Sequence, residues 1–558
     1  MKHAFLFILL SASAFAADYY VSPTGKDSNT GTSPDQAWLT LARANAAAQP
    51  GDTIVIGAGE FNADTISSKR NGTAEKPIVW QGISARETII RTTSWLPYAF
   101  KISHDHIHFK TMRFVNASIN VYYGGDHGLI DGCHFEQPNH SHIYFEGGTD
   151  THMKEWVVRN CEFREASDRV SKQACIRLCG SKHLFENNYF TSSLGGADVF
   201  HYLGSGTVIR RNTFENWGVR PGSKNHVDFV QSFTNNPSNI AEDLLVEGNF
   251  CRNMNGVQFG NVTDSAQTGR VRNWTFRNNI FHRVSNTMNL YAPGFRFENN
   301  VFSHFYGSGG AILFRGSGRR GKASSGFVYN NIFYRGGINP ANATDQGWYS
   351  NDAGGSGIIA DNNLVVGIGA GTVKGSKWRI WGNANSLNGV DPLFVGAAAI
   401  NAGNPETKVV PEDFRLRPNS PALGRGMNLT EEFMTDIAGA QRPGIGPWDI
   451  GPFQSKVKPP DTTPPSLRCA NIAATGTQII LCFDEWVEGV KAELFTLPFY
   501  KLSNAQGAGP NWTMDVDRKI LPVDELKLVY TTDVNGIVDT AGNQLQSGEH
   551  QLVNGALR

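Results

Sequence analysis

Phe276-Arg-Asn-Asn-Ile-Phe281 is one copy of a six-residue phrase that returns about ten times between Phe109 and Val365. Each copy reads apolar, polar, often Asn-Asn, and then an apolar pair. Successive copies start 21 to 37 residues apart, which is the length of one solenoid turn with loops of variable size. Other copies are Ile130-Asp-Gly-Cys-His-Phe135, Val158-Arg-Asn-Cys-Glu-Phe163, Phe185-Glu-Asn-Asn-Tyr-Phe190, Ile209-Arg-Arg-Asn-Thr-Phe214, Phe297-Glu-Asn-Asn-Val-Phe302 and Val328-Tyr-Asn-Asn-Ile-Phe333.

The phrase predicts short strands that stack coil on coil. One such strand cannot bury its apolar face alone, but repeated Phe and Ile positions form one continuous core when the coils stack. A β-sandwich or propeller is the alternative, although sandwich strands do not share a slot-by-slot phrase. We therefore predict an all-β chain that forms a parallel β-helix of about ten or more coils.

The fourth slot of the phrase predicts a special corner. An Asn at a fixed slot suits a bend, because Asn tolerates left-handed backbone and its amide can satisfy neighbouring backbone groups. Stacked Asn side chains can also hydrogen-bond to each other along the column. This slot holds Cys133, Cys161, Asn188, Asn212, Asn249, Asn279, Asn300, Asn331 and Asn363.

The composition and the N-terminus limit the functions that the chain can have. The 558 residues carry a formal net charge of zero, which argues against a dedicated nucleic-acid binder. Residues 1–16 combine a basic start, an apolar run and the pattern Ala14-Phe15-Ala16, so we expect a bacterial signal peptide that is cleaved near Ala16. No other segment is apolar enough to span a membrane. We expect a secreted or periplasmic monomer.

Two pairs among the seven cysteines have different expected roles. Cys469 and Cys482 flank a short strand pair and are expected to form a disulfide in an oxidising compartment. Cys133 and Cys161 share one slot of the repeat, so we expect them to be stacked thiols of the core.

The chain after the expected signal peptide divides into three segments. Residues 38–52 contain an amphipathic helix before the first strand of the repeat region, where it can shield the open apolar end of a β-helix. We place the β-helix at residues 17–455, a Pro-rich extended linker at 456–465 and a small β-sandwich at 466–558. The alternating strands of the last segment include Gln478-Ile-Ile-Leu-Cys-Phe483.

Several motifs outside the repeat resemble those of secreted right-handed parallel β-helix proteins. They are Tyr19-Tyr-Val-Ser-Pro-Thr-Gly-Lys-Asp27, Pro50-Gly-Asp-Thr-Ile-Val-Ile56, Gly72-Thr-Ala-Glu-Lys-Pro-Ile78 and Asp413-Phe-Arg-Leu416. That group includes the pectate-lyase-like and the chondroitinase-B- and alginate-lyase-like polysaccharide lyases. The resemblance covers roughly residues 18 to 455 and implies a right-handed parallel β-helix. The region after Asp461-Thr-Thr-Pro-Pro465 resembles bacterial immunoglobulin-like accessory modules.

A second strand precedes each copy of the phrase by about seven residues. Because strand side chains alternate, its flanking apolar residues should face the core and its middle residue should face outward. The outward column is rich in His, Arg, Tyr, Asp and Asn, which indicates a groove for binding or catalysis, although a one-residue slip would invert the assignment. The predicted column is Lys101, Tyr122, Tyr144, Arg177, His201, Asp228, Gln258 and Asn289.

Lys224-Asn-His-Val-Asp-Phe-Val-Gln231 is the sharpest cluster of this groove. His226 and Asp228 share a face at i, i+2, where a carboxylate can orient an imidazole. β-Elimination on a uronate needs a base for the C5 proton and a cation that neutralises the carboxylate. The predicted catalytic residues are His201, His226, Asp228, Arg177 and Tyr144. The predicted substrate-binding residues are His142, Glu146, Asp198, Lys224, Gln231, Gln258, Asn289, Tyr291 and Arg315. Arg315 begins a basic loop that could hold an anionic chain, and the alternative is that this loop is simply solvated.

Two other functions fit the same groove. A glycoside hydrolase needs two carboxyl groups across the scissile bond, and Glu146 and Asp228 lie three coils apart, roughly 14 Å by strand spacing. Asp198 with Asp228 would be one coil apart, which keeps hydrolysis open. A non-catalytic carbohydrate-binding or adhesive solenoid is the third alternative, but its outward column should be more monotonous in Thr and Asn.

Calcium is an option raised by the resemblance, since related lyases often use it to bind the uronate carboxylate. The chain shows no run of spaced acidic ligands, and no cofactor is predicted with certainty. The sequence therefore predicts a secreted carbohydrate-active enzyme, a polysaccharide lyase that acts on an anionic, uronate-containing polysaccharide by β-elimination.

Overall fold

Three parallel sheets, here called A, B and C, run the length of the first unit of this computed structural model. The chain forms two compact units, Met1–Lys456 and Val457–Arg558. Each coil passes from sheet A to sheet B to sheet C before the next coil begins. The structure describes residues 16–63, 65–92, 98–138, 140–147, 153–165, 174–193, 197–218, 227–233, 239–254, 260–263, 270–284, 288–305, 311–317, 321–336, 349–351, 357–366, 385–455, 464–473, 475–520, 526–531, 536–539 and 543–554.

Every sheet pairs each strand with the strands one coil before and one coil after it. Sheet A comprises Asp18–Val21, Thr53–Ile56, Ile78–Gly82, Ile107–Lys110, Leu129–Asp131, Val157–Arg159, Leu184–Glu186, Val208–Arg210, Leu245–Glu247, Thr275–Arg277, Phe295–Glu298, Gly326–Tyr329 and Ile358–Asp361. Sheet B comprises Gly59–Asn62, Thr88–Arg91, Arg113–Val115, His134–Glu136, Glu162–Arg164, Tyr189–Ser193, Thr213–Trp217, Phe250–Met254, Ile280–Val284, Val301–Ser303, Ile332–Tyr334, Leu364–Val366 and Leu387–Asn388. Sheet C comprises Ile66–Ser67, Phe100–Ile102, Ile119–Val121, Ile143–Phe145, Ala174–Ser181, Asp198–Ser205, Val230–Phe233, Gly260–Thr263, Met288–Tyr291, Ile312–Phe314 and Tyr349–Asn351, with Ala241–Glu242 and Val271–Arg272 beside it.

The repeated phrase turns the corner between sheets A and B, and its two middle slots divide the work. The third slot has positive φ, as at Asn187 (φ 55°) and Asn278 (φ 54°). The fourth slot points inward as a ladder, in which Asn212 Nδ2 donates to Asn249 Oδ1 at 3.0 Å and Asn249 Nδ2 donates to Asn279 Oδ1 at 3.0 Å. The expected amide ladder is therefore present, whereas the left-handed backbone belongs to the preceding slot.

The interior of the coils is a set of aromatic stacks. Phe114, Phe135, Phe163, Phe190 and Phe214 follow one another along sheet B with ring centroids 4.5 to 5.1 Å apart and nearly parallel planes. The apolar last slot of the phrase supplies these rings, so one column of the sequence repeat becomes one column of the core. Cys133 and Cys161, in the fourth slot, are buried free thiols, as expected.

A short helix closes the N-terminal end of the coils. Helix Leu41–Ala47 begins after Thr40, whose side chain accepts a hydrogen bond from Arg43 N. Its buried residues Leu41 and Ala44 belong to the main core. The helix predicted within residues 38–52 is therefore confirmed, and it buries apolar side chains at the first coils.

A loop-rich strap, residues 401–455, lies back along the corner between sheets A and B. Third-slot amides hold it: Asn278 Nδ2 donates to Thr435 O at 2.9 Å, and Asn299 Nδ2 donates to Gly451 O at 2.9 Å. Arg442 of the strap is almost fully buried and donates to Asn278 Oδ1 at 2.9 Å. The shorter helical segments of the chain are Pro34–Gln36, Ala397–Ile400, Pro411–Phe414 and Ala492–Leu494, and one hairpin pairs Gly316–Ser317 with Gly321–Lys322.

The second unit has two mostly antiparallel sheets around a separate core. Cys469 and Cys482 face each other across two strands and are joined by a disulfide. Apolar residues of both sheets, such as Leu481 and Leu528, meet in this core, which is the sandwich arrangement predicted. One sheet contains Leu467–Ile472, Gln478–Glu488, Leu502–Val516, Val538–Asp539 and Val553–Asn554, and the other contains Phe495–Thr496, Lys527–Tyr530 and Gly548–Gln551.

Two expectations concern parts of the chain that the structure does not describe: the signal peptide of residues 1–16, of which only Ala16 is described, and most of the linker at 456–465. Within the described ranges, no helix has the length and apolar character required to cross a membrane.

Candidate functional site

Sheet C carries an outward column of polar side chains, here called the groove column. The register pairs Tyr144 with Arg177, Arg177 with His201, and His201 with Gln231 on successive coils. Neighbouring positions are about 4.8 Å apart. From the N-terminal end the column contains Lys101, Asn120, Tyr144, Arg177, His201, Gln231 and Asn289, and the backbone of Asn261 pairs between the last two.

Two predicted members of the column, Tyr122 and Asp228, are wrong. The strand expected around Tyr122 lies two residues further back and the one expected around Asp228 three residues further along, so Asn120 and Gln231 take their places. Tyr122 is the next outward residue after its strand, and Gln258 lies outside the described residues, as do His226 and Lys224. The predicted pair of His226 and Asp228 is therefore not described.

His142 was expected to face outward, and this prediction is wrong. Its side chain is fully buried, where Nε2 bonds to Arg164 O at 2.9 Å and Nδ1 contacts Cys175 Sγ at 3.2 Å. Burial lowers the pKa of His142 to about 4, so the ring is neutral. His142 and the following Ile143 are both buried, which breaks the strict alternation that the prediction assumed.

His201 is the best-oriented titratable group of the groove column. Its Nε2 lies 2.6 Å from Asp198 Oδ2, three residues earlier on the same strand. The imidazole is 18% exposed and the Asp198 carboxylate 8%. A carboxylate partner keeps the proton on Nε2, so the neutral ring carries its lone pair on Nδ1.

The next coil repeats this arrangement with a different partner. Gln231 Nε2 donates to Asp228 Oδ2 at 2.7 Å, again at a separation of three residues. The two pairs are linked, because Asp228 N donates to Asp198 Oδ1 at 2.7 Å. Asp198 is therefore held from both sides, by His201 and by the backbone of the following coil.

Arg177 and Tyr144 lie on the N-terminal side of His201. The Arg177 guanidinium is 5.4 Å from the centre of the Tyr144 ring. Burial raises the pKa of Tyr144, and the nearby Glu146 adds to this while the Arg177 charge opposes it. Tyr144 is consequently a neutral phenol that retains its proton at physiological pH.

The surroundings of Arg177 differ from those of the outward arginines on sheets A and B. There, arginines pair with carboxylates of the neighbouring coil, as Arg210 does with Glu186 at 2.8 Å and Arg252 with Glu215 at 2.6 Å. Within the described part of the chain, Arg177 has no carboxylate at ion-pair distance, and its buried Nε lacks a hydrogen-bond partner there. The groove thus holds a half-buried cation whose charge its described neighbours do not neutralise.

Two residues that the sequence reasoning missed complete this region. Tyr98 and His140 surround the Tyr144 ring, with centroids 5.9 and 4.9 Å away. Burial, and then the Arg177 charge, lower the pKa of His140, while burial raises that of Tyr98. Their positions in the sequence could have indicated them, because each lies three or four residues before a member of the groove column.

The two ends of the groove column are polar in different ways. Toward the N-terminus, Lys101 Nζ lies 3.8 Å from the centre of the Tyr122 ring, and Asn120 Nδ2 donates to Glu146 Oε2 at 3.2 Å. Toward the C-terminus, Arg315 Nε donates to Asn289 Oδ1 at 2.7 Å. Glu146, Asn289 and Arg315 are therefore brought to the predicted face, and Tyr291 follows Asn289 as a buried ring.

The described residues do not supply a cluster of acidic ligands for calcium. They contain no group of three or more His, Cys, Asp or Glu side chains that could hold a metal ion. The groove carboxylates of Asp198 and Asp228 are buried and engaged by hydrogen-bond donors of the protein. We therefore derive no catalytic step through calcium.

Comparison with known proteins supports the same architecture. Residues 19–175 match the family model described as Pel9A-like, right handed beta helix region. Pectate lyase L of Dickeya dadantii (strain 3937) is 22% identical over 483 residues, which cover 81% of this chain and 97% of the relative. The resemblance to pectate-lyase-like right-handed β-helix proteins is thus confirmed.

Solved structures share the fold at lower identity. The complex of XylC with xylose has a TM-score of 0.50 at 10% identity, over 79% of this chain and 99% of that one. The crystal structure of pectate lyase Pel9A has a TM-score of 0.43 at 15% identity, over 79% and 97% of the two chains. The likeness to XylC concerns the fold alone.

Proposed function

We propose that this chain is a polysaccharide lyase that cleaves a uronate-containing polysaccharide by β-elimination in the groove of sheet C. The observation that carries the proposal is Arg177, a half-buried cation without a carboxylate at ion-pair distance among the described residues, flanked by His201 and Tyr144 on the adjacent coils. A uronate carboxylate supplies the missing negative charge. The signal peptide expected at residues 1–16 fits a substrate outside the cell.

The sequence relatives support a lyase-type carbohydrate-active enzyme. Pectate lyase L spans almost its whole length in the alignment with this chain, and pectate is a polymer of uronates. Fold alone does not determine the reaction, so the chemistry rests on the groove residues.

Each groove residue has a role that its surroundings favour. Arg177 binds the substrate carboxylate and stabilises the negative charge that develops there when the neighbouring C5–H bond breaks. His201 accepts the C5 proton at Nδ1, and Asp198 holds its ring in place through Nε2. Tyr144, which keeps its proton because burial raises its pKa, donates that proton to the leaving oxygen.

The atoms balance in this scheme. The C5–H electron pair becomes the C4=C5 double bond, the C4–O bond breaks, and the leaving oxygen takes a proton. The products are one new non-reducing end with an unsaturated uronate and one new reducing end. His201 ends protonated and Tyr144 ends as a phenolate, and proton exchange with water restores both.

Hydrolysis by Asp198 and Asp228 has less support. These carboxylates lie on adjacent coils, but Asp228 is fully buried and Asp198 is 6% exposed. Both accept hydrogen bonds from the protein. Access to a glycosidic bond on both sides is required of a hydrolase pair, and buried, engaged carboxylates do not provide it.

The test is ultraviolet absorbance of the unsaturated uronate while the full-length protein meets a panel of uronate polysaccharides, with calcium or with chelator. We expect absorbance to rise with the wild type. The rate of this rise should be roughly 100-fold or more lower in His201→Gln, since a positioned base contributes about 10²–10⁴-fold. Arg177→Ala should lose activity, and Arg177→Lys should keep part of it because the charge remains.

Matched controls lie on the other sheets. His134→Gln removes an outward imidazole near Glu162, and Arg210→Ala removes an arginine paired with Glu186; both variants should retain wild-type rates. New reducing ends without absorbance would replace elimination by hydrolysis. Absence of any cleavage across the panel would leave the carbohydrate-binding solenoid as the better function.

A further inference from the structure

A tight turn of the second unit holds a phenylalanine in an unfavourable backbone conformation. Tyr500 N donates to Leu497 O at 3.2 Å, which closes the turn Leu497-Pro498-Phe499-Tyr500. Phe499 is the third residue and has φ 68°. A turn with Pro in second position and positive φ in third position ordinarily has Gly or Asn there, because a bulky side chain is strained.

Burial against the described residues does not compensate the strain at Phe499. Its side chain is 84% exposed, so the ring gains little from removal of apolar surface from water. Backbone strain of this kind persists mainly at functional positions such as ligand contacts, and at Phe499 it presents an exposed aromatic ring. The ring is therefore available to an external ligand.

The turn is held firmly in place by the neighbouring loop. The Arg518 guanidinium donates to Phe499 O and lies 4.9 Å from the centre of the Tyr500 ring. Lys501 N donates to Asp517 Oδ1 at 3.1 Å, and Asp517 N donates to Lys501 O at 3.0 Å. The Phe499 ring is thus presented by a braced turn, which lowers the entropy lost when a ligand binds.

The turn that carries the ring is positively charged. Arg518 contacts the turn and Lys501 adjoins it, and both are exposed, whereas the carboxylate of the neighbouring Asp517 is engaged by a backbone N–H. In a chain whose formal net charge is zero, this local excess favours an anionic partner.

We propose that Phe499, with Lys501 and Arg518, forms a second carbohydrate-contact site that binds acidic polysaccharide outside the catalytic groove. The aromatic ring packs against the apolar C–H face of a sugar ring, and the cations meet carboxylates of neighbouring sugars. The choice of an acidic polysaccharide rests on the proposed function, because it takes the same substrate class. The site would hold the enzyme on the polymer between cleavage events.

The test is retention of the full-length protein in native gels that contain an acidic polysaccharide, compared with gels that contain a neutral one. Phe499→Gly removes the ring and relieves the positive φ, so we expect an unchanged or higher Tm and a roughly tenfold weaker retention. Phe499→Trp should keep retention. Ile445→Gly is the matched control, since Ile445 is a 93% exposed apolar residue of the first unit, and it should bind as the wild type does.

Three outcomes decide the proposal. Equal retention of Phe499→Gly and wild type would overturn it, and so would a clear fall in the Tm of Phe499→Gly, which would mean that another part of the protein covers the ring. Retention that depends on Phe499 supports it even if no polysaccharide is cleaved, in which case the proposed lyase activity fails while this site stands. Cleavage of short uronate oligosaccharides should be unchanged in Phe499→Gly.

Discussion

Replacing Asn279 tests how much the amide ladder contributes to the coils. Its Nδ2 donates to Val246 O at 2.9 Å and to Asn300 Oδ1 at 3.0 Å. Its Oδ1 accepts from Asn249 N at 2.9 Å and from Asn249 Nδ2 at 3.0 Å. Asn279→Ala therefore deletes four side-chain hydrogen bonds in a residue that is fully buried.

The cost follows from the groups left behind. Asn300 Oδ1 keeps the bond from Asn279 N, and Asn249 Nδ2 keeps its bond to Ile209 O. The Asn249 N–H and the Val246 carbonyl lose their Asn279 partners, and each such buried group costs about 1–3 kcal/mol. Asn279→Ala should therefore lower the free energy of unfolding of the first unit by roughly 3–6 kcal/mol, including the small cavity.

Asn279→Asp separates hydrogen bonding from volume. A carboxylate has the same shape, but its second oxygen would face Val246 O and Asn300 Oδ1, the two oxygens that accept from Asn279 Nδ2. This repulsion and burial would both raise the pKa of the carboxyl above the unfolded value of about 3.9. The folded state would then hold a proton that the unfolded state releases. Stability of this variant should be greatest at low pH and fall as pH rises through the folded pKa.

Urea unfolding, followed by both tryptophan fluorescence and far-ultraviolet circular dichroism, measures these differences when the two probes coincide. Asn385→Ala is the control, because it removes an exposed bond from Nδ2 to Asp361 Oδ2 and should change stability by no more than about 0.5 kcal/mol. A loss below about 1 kcal/mol in Asn279→Ala would refute the reasoning that the ladder satisfies otherwise unpaired buried groups.

Three further predictions concern other parts of the chain. His183 is fully buried, accepts from Trp156 N at Nδ1 and contacts Cys179 O through Nε2, and burial lowers its pKa from 6.5 to about 4. The unfolded chain takes up a proton at this histidine as pH falls, and the folded chain does not. The free energy of unfolding should therefore fall between pH 6.5 and 4, by on the order of 3 kcal/mol for this residue, and Tm should fall with it. His183→Gln should flatten that pH dependence, and an unchanged slope would contradict the assignment. Replacing Cys469 and Cys482 by Ser, which opens a link between residues 13 apart, should lower the stability of the second unit by about 3 kcal/mol and leave the unfolding of the first unit unchanged, as calorimetry would show. Asp198→Asn should lower kcat roughly 100-fold with little change in KM, since it disturbs the orientation of His201; a change confined to KM would argue for substrate binding instead.

The repeat could be predicted from the sequence because each slot of the phrase occupies the same position in the core of every coil. The apolar last slot became the Phe stacks of sheet B, and the Asn slot became the amide ladder. What the phrase could not assign was the positive φ of the third slot. Both Asn positions have the same residue preference, and only the direction of the side chain, inward at Asn279 and toward the strap at Asn278, separates them.

The register of sheet C was only partly predictable. Val227-Asp-Phe229 and the strand Val230–Phe233 both begin with an apolar residue followed by a polar one, and both Val227 and Phe229 are buried. A pattern of period two cannot choose between them. Pairing with the strand of His201 on the preceding coil determines the register and brings Gln231 to the groove. This pairing cannot be predicted from the segment alone.

The strap along the A–B corner has a consequence for how the chain folds during synthesis. Coils are joined by contacts between residues a few tens apart, so they can form in order as the chain leaves the ribosome. The strap instead reaches back across long stretches of sequence, with separations of 150 residues between Asn299 and Asp449 and 164 between Asn278 and Arg442. We expect the strap to dock only after the coils that it contacts have formed, and its docking then joins coils that otherwise contact only their neighbours.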